Sequence, residues 1–168
     1  MNRLQIALIV LICLTGVASC EKDDICVDGD TPLLVIGFFD SDDTTQTKTV
    51  TALRIRAIGQ DEDVTTFTNL STLDSVGIPL RITETSTQYL FVNDSDQDDD
   101  GNETGNIDTL TFNYQVREEF VSRACGFVAN FDDLSVALQP DSDNWIQHIV
   151  IVDTTIEKST AVHVKIFH

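Results

Sequence analysis

At 168 residues the chain has the length of one domain with a sizeable core, and its 42% hydrophobic content, spread along its length, excludes a disordered chain. A formal net charge of −18, from 28 acidic against 10 basic side chains, argues against a nucleic-acid binder and against attraction to anionic membrane surfaces. The acidic residues fall mainly in loops, where they make a soluble, self-repelling surface.

The chain opens on Met1-Asn2-Arg3 and an apolar run from Leu4 to Leu14 broken only by Gln5, followed by small residues at Gly16, Ala18 and Ser19. A permanent membrane helix needs roughly 20 apolar residues to cross a ~30 Å hydrocarbon core, so this run is an export signal rather than a span. Val17-Ala18-Ser19-Cys20 resembles the bacterial lipobox, in which the signal is cut before a cysteine that carries diacylglycerol through its sulfur. Residues 1–19 are therefore expected to be a lipoprotein signal peptide, with Cys20 the site of lipidation; the alternative is an ordinary secretory signal that ends in a cysteine. Each acyl chain contributes about 0.8 kcal/mol per buried CH₂, and two or three chains make a stable anchor. Glu21-Lys22-Asp23-Asp24 looks like the acidic export signal that carries Bacteroidetes lipoproteins to the outer face of the outer membrane, the plainer alternative being a solvated tether over residues 20–31.

Four cysteines are present; Cys13 leaves with the signal and Cys20 takes the lipid. Cys26 and Cys125 remain, two thiols in an oxidising setting where disulfides form. A bridge closing a loop of roughly 100 residues stabilises by about 4.7 kcal/mol in the chain-entropy model. Two unpaired thiols are the alternative.

Residues 32–168 read as a single all-β domain, an antiparallel β-sandwich of Ig-like or similar form with about eight strands. Leu33 to Phe39 is a near-continuous apolar run suited to a strand buried on both faces. From about Lys48 to Ile58, Leu53, Ile55 and Ala57 alternate with Arg54 and Arg56, giving one wet face. Val64 to Thr68 is expected to be a short third strand, and Val76 to Leu80 an edge segment, because Pro79 cannot donate to a ladder. Gln88 to Val92 follows, then a long acidic loop from Asn93 to Asn106. Leu110, Phe112, Tyr114 and Val116 share one face in the clearest alternation of the chain, and Phe127, Ala129 and Phe131 are expected to line another. Asp133 to Asp143 is the one place where a short helix is expected. Ile146 to Val152 and Ala161 to Phe167 close the chain as strands.

With Cys20 to Cys26, Val121-Ser122-Arg123-Ala124-Cys125-Gly126-Phe127, Asn144-Trp145-Ile146 and His163 to Phe167 in view, the chain resembles an uncharacterised family of Bacteroidetes lipoproteins, a domain of unknown function. The resemblance spans the chain beyond the signal. It implies that Cys26 and Cys125 belong to a family pattern, and it implies no activity, substrate or catalytic residue.

Asp96-Gln97-Asp98-Asp99-Asp100-Gly101 matches the start of a calcium loop, in which Asp96, Asp98 and Asp100 would point inward and glycine permits the sharp turn. Position twelve of that loop is Ile107 instead of the bidentate glutamate, so any Ca²⁺ would sit in a turn between strands, with Asp94 or Glu103 completing the shell. An acidic hairpin without an ion is the alternative. His148, His163 and His168 lack metal-ligand spacing and are expected to be half-exposed strand residues. Trp145 and Tyr114 are read as core before a sugar-stacking platform, and no G-x-S-x-G elbow is present. The function expected is an outer-membrane-anchored, surface-exposed binding or structural module with no catalytic residues. Its partners would be the outer membrane through the anchor and an envelope protein or glycan. An accessory subunit of an envelope complex is the alternative, and a hydrolase ranks last.

Overall fold

The structure is a computed structural model that describes Cys26 and residues 29–168. The signal segment, Cys20 and the Glu21–Asp24 run lie outside the described residues. Among the described residues there are nine strands and no helix. They are β1 (Leu34–Phe39), β2 (Val50–Ala57), β3 (Ser71–Leu73), β4 (Ser75–Ile78), β5 (Ser86–Asn93), β6 (Asn106–Ser122), β7 (Gly126–Leu138), β8 (His148–Ile151) and β9 (Val164–Phe167).

They form a four-stranded sheet in the order β4-β1-β9-β8 and a five-stranded sheet in the order β3-β2-β5-β6-β7. Both feed one apolar core. Leu34, Ile36, Phe38, Ile78, Val164 and Ile166 come from the first sheet; Leu53, Ile55, Phe91, Leu110, Phe112 and Phe131 come from the second. The second sheet is antiparallel throughout. The first is not: β1 runs parallel to β9, with Ile36 opposite Val164 and Phe39 opposite Phe167. A parallel pair needs a long crossover, and here the crossover is everything between the first and last strands. Local alternation could not reveal this, because the two partners lie at opposite ends of the chain.

Two bulges set which side chains reach the core. Ala52, at φ 42°, sits where the β2–β3 register shifts between Val50 and Leu53, so both residues are buried although they are three apart. Asp133, at φ 55°, does the same in β7, and Phe131 and Leu134 are both buried. Beyond that bulge Leu134, Val136 and Leu138 resume the alternation, so Asp133 to Leu138 is strand and the helix expected over 133–143 is replaced by the end of β7. The third strand is also displaced. Val64 donates to the Ile55 carbonyl and Leu70 to that of Leu53, but the stretch from Val64 to Thr68 makes no continuous ladder, and β3 begins at Ser71. Val76 and Ile78 do lie on an edge strand, β4.

Among the described residues the buried polar side-chain atoms all have hydrogen-bond partners. Asp108 is fully buried in β6; its Oδ2 accepts the Ile146 N–H at 2.7 Å and its Oδ1 accepts from Asn144 Nδ2 at 2.9 Å. Trp145 belongs to the core, its Nε1–H donating to the Phe91 carbonyl at 3.2 Å, and Tyr114 is buried edge-on to Phe131. Two of the three histidines differ from the half-exposed pattern expected, and His168 keeps it. His148 is exposed, His168 is half-buried against Trp145 and Phe38, and His163 is only 4% exposed.

His163 locks β1 to the segment before β9: its N–H donates to the Val35 carbonyl at 2.9 Å, and its Nδ1 accepts the Val35 N–H at 3.0 Å. That acceptor role requires a neutral ring. Burial pushes the His163 pKa below its ordinary 6.5, against the pull of Asp153. A folded value below the unfolded one means the stabilisation is complete above about pH 6.5 and is lost as pH falls through the folded value. Thermal melts from about pH 7 to about pH 5 should therefore show a falling midpoint. His163→Gln should flatten that fall, leaving the share of His168, whose pKa burial also lowers.

Candidate functional site

The outer face of the second sheet carries Arg54 and Arg56 on β2, beside Val92 and Leu90 of β5, with Ile107 of β6 opposite Val92. The loop between β5 and β6 folds back over this face as a small hairpin. Gln97 bridges Glu103, the Asp98 N–H donates to the Asn102 carbonyl at 3.0 Å, and Gly101 takes φ 82° at the tip. At the hairpin's root, an added Cβ on Gly105 would lie 2.7 Å from Val92 Cγ1 and 2.8 Å from the Asn93 carbonyl, so only glycine fits.

Arg54 ties the loop to the sheet. Its Nε donates to Asp63 Oδ2 at 3.0 Å and its Nη1 to Glu103 Oε2 at 2.8 Å. Arg56 Nε donates to Asp63 Oδ1 at 2.8 Å, and Asn69 Nδ2 to Asp63 Oδ2 at 2.9 Å. Glu103 also accepts from the Ser95 hydroxyl at 2.8 Å and from the backbone N–H groups of Gly105 and Asp96. Burial pushes the Asp63 carboxyl up, but the hydrogen bonds from Arg56 and Arg54 outweigh it and hold the pKa below the usual range. In Glu103 the donors Gly105, Ser95 and Arg54 outweigh burial in the same way. Two open depressions, each of ≈ 310 Å³, flank this network and share Arg54 and Gln97. One is floored by Leu90, Val92 and Ile107; the other is lined by Asp63, Asn69, Leu70 and Ser95. Chemically this is a salt-bridged polar rim around a small apolar floor.

The structure does not gather the expected calcium ligands. Asp98 Oδ1 accepts the N–H groups of Asp100 at 3.0 Å and Asn102 at 2.8 Å, and both its oxygens accept from Asn102 Nδ2. The Asn102 side chain is the main cause of its lowered pKa, followed by the Asn102 backbone. Asp96 Oδ1 accepts the Gln97 N–H at 2.8 Å, and Asp100 lies exposed beside Gly101. Among the described residues no three His, Cys, Asp or Glu side chains are grouped so as to hold a metal ion. Carboxylates of an Asp-rich turn can cap their own backbone N–H groups, an alternative role that the D-x-D-x-D-G spacing does not distinguish from ligation. The Arg54–Asp63–Glu103 network was not singled out in the sequence; the signal for it was the Arg-x-Arg on the wet face of β2.

The other sequence-predicted pair does meet. Cys26 and Cys125 are joined, their Cα atoms 4.9 Å apart and their positions separated by 99 residues. Gly29 packs against the bridge, where an added Cβ would lie 2.2 Å from Cys26 Sγ. Cys125 sits in the turn of the long β6–β7 hairpin, its N–H donating to Ser122 Oγ at 3.0 Å. On either side Phe120 and Phe127 face each other across the ladder, ring centroids 5.3 Å apart and edge to face, yet 56% and 67% exposed. Phe127 does share a face with Ala129 and Phe131, but the core ends before it.

Fold and sites together define an all-β, disulfide-bonded chain of two sheets about one core. The chain belongs to the family of unknown function DUF6452, whose model matches residues 47–168. That span takes in β2 to β9, the acidic loop and Cys125; β1 and Cys26 precede it, so the family match is shorter than the resemblance read from the sequence. No curated protein and no solved structure matches the chain.

Arg54→Met should lower stability by about 2 kcal/mol in urea unfolding near neutral pH, because it leaves Asp63 and Glu103 half-buried without their shared donor. Folded pKa values below the unfolded ones make the carboxylate contribution full above about pH 4.5 and lost as pH falls, so the gap between variant and parent should narrow in acid. Replacing both Cys26 and Cys125 by serine should cost about 4 kcal/mol, read as a shift of the same unfolding midpoint.

Proposed function

We propose that the protein is a lipid-anchored module of a bacterial outer membrane, displayed on the cell surface, in which a β-sandwich binds or braces a partner rather than catalysing a reaction. The Cys26–Cys125 bridge carries the reading, since a disulfide belongs to an oxidising compartment and so to an exported chain. The order of apolar run, small residues and Cys20 supports acylation at that cysteine, with residues 1–19 as the signal. A single core fed by both sheets supports the sandwich, of Ig-like or similar form. The shallow depression beside Arg54 that is floored by Leu90, Val92 and Ile107, with its polar rim, suits a glycan or a protein loop. Ca²⁺ in the Asp96–Asp100 turn remains an expectation of spacing alone.

The alternative is an accessory subunit of an envelope complex. It draws on β4, the edge strand of the four-stranded sheet, where Thr66 takes up only the Gly77 carbonyl. Cross-linking in intact cells that returns one membrane protein in constant ratio, through residues of β4, would favour this reading over the free-standing module.

For the main reading, Cys20→Ala should abolish acylation and move the protein from the detergent phase to the aqueous phase on phase partition. Retention of the variant in the detergent phase would overturn the anchor. Protease added to intact cells should degrade the parent protein; protection until the outer membrane is broken would place it in the periplasm instead.

A further inference from the structure

The β6–β7 hairpin outruns the core it helps to build. β6 has 17 residues and β7 has 13, whereas β8 and β9, which stand in the other sheet, have four each. Along β6 the core-facing alternation Leu110, Phe112, Tyr114 continues through Val116 and Glu118 to Phe120, and along β7 it runs from Phe131 through Ala129 to Phe127. At the tip no second sheet remains to receive that face. Phe120 and Phe127 are left in water, with Val121 also exposed and Arg123 the one cation of the turn. An exposed aromatic pair pinned by a disulfide is costly to leave unpartnered, since each Phe retains much of its transfer free energy unspent.

The chain length ahead of the tip says what covers it. The bridge holds Cys26 at the turn. Cys20 precedes Cys26 by six residues, and six residues reach at most about 20 Å when fully extended. Whatever lipid Cys20 carries therefore enters its bilayer within about 20 Å of Cys26. The acidic loop, by contrast, leaves β6 at Asn106, more than a dozen residues along the strand from Phe120 and about 45 Å away.

We propose that the β6–β7 tip, with Phe120 and Phe127 edge to face beside the Cys26–Cys125 bridge, is seated in the interfacial layer of the membrane that holds the Cys20 acyl chains. This rests on the anchor reading above. Contact is made by the aromatic rings and not by charge; the acidic body is repelled by anionic headgroups and stands off the surface. Phe suits this depth because its ring is apolar and rigid, and the stem of Arg123 lies along the apolar layer with its head in water.

The test uses the acylated protein in phosphatidylcholine vesicles, plain or brominated on the acyl chains, where bromine quenches only tryptophan that reaches the lipid. Trp145 is 9% exposed in the core and supplies the same background in every sample. Phe127→Trp should emit at shorter wavelength on vesicles and be quenched in the brominated ones. Ile107→Trp, at the far end of β6, should show neither change. Phe120→Trp repeats the measurement from the facing strand, should one variant fold poorly. If mass spectrometry finds lipid on Cys20 while the tip tryptophans are unquenched, the anchor stands and membrane seating is overturned; the same holds if the tip is shielded from iodide only in native membranes, where a protein covers it. If Cys20 is bare, the anchor falls, and the unacylated chain added to the vesicles decides: quenching upholds the seating and its absence overturns it.

Discussion

The pairing of β1 with β9 is the constraint on which the rest depends. It places the first and last strands side by side in the middle of one sheet, and it is the one ladder that joins the β4–β1 pair to the β8–β9 pair. Leu34, Ile36 and Phe38 on one strand and Val164 and Ile166 on the other then form a fully buried stripe. His163 fastens this joint by donating its N–H to the Val35 carbonyl and accepting the Val35 N–H at Nδ1, and Lys48 Nζ reaches the His168 carbonyl at 2.7 Å at its other end. The cost of closing so long a loop is entropic and grows only slowly with length, while the apolar area buried at the joint is returned in full. The disulfide closes a different loop, which ends at Cys125 ahead of β8 and β9, and it lowers the entropy of the unfolded chain.

Much of this was legible in the residues. Alternation over Leu110 to Val116 and over Leu53 to Ala57 placed β6 and β2 on the correct faces, because period two is a local property of a half-buried strand. The Leu33–Phe39 run was read as doubly buried, and β1 is central. What failed was non-local or hinged on a single backbone angle. No local pattern says that β1 and β9 run parallel. One left-handed residue at Asp133 shifts the phase of β7 by one position, and that shift, read without a structure, broke the strand pattern and suggested a helix. The aspartate turn is a matter of a different kind. D-x-D-x-D-G is a statement about spacing, whereas ligation is a statement about where oxygens point, and here Asp98 points at its own loop's N–H groups. Cys26 and Cys125 were legible for the opposite reason: once two of four thiols are assigned to other fates, counting leaves one pair.

The two ends of the hairpin differ in character, although Glu118, Glu119 and Arg123 put charge beside the aromatic end. At the Asn106 end lies the aspartate-rich loop, with Glu103 neutralised by Arg54 and Asp94, Asp96, Asp98, Asp99 and Asp100 near it. At the Ser122 end lie Phe120, Val121 and Phe127. A strand of 17 residues spans about 55 Å, several Debye lengths at physiological salt, so the two ends act as independent surfaces. An interface formed at one end leaves the field at the other unchanged.

That independence bears on how the Arg54 depressions would be used. The floor of one is apolar and the ion-pair network runs between them, with Arg54, Asp63 and Glu103 each less than one-fifth exposed. A ligand there would meet guanidinium groups whose Nε–H donors are already committed, so recognition would fall to the remaining edge of Arg56, to Gln97 and to the floor of Leu90, Val92 and Ile107. Such a surface favours a neutral polar ligand with one apolar face over a free anion, which would have to displace Asp63 or Glu103 at the cost of leaving a half-buried carboxylate without its donor. A sugar ring has that two-faced character, and so does a protein loop with one apolar residue among polar ones. Ligand choice at this end would therefore follow from the same network that holds the acidic loop against the sheet: loosening Arg54 would change both together.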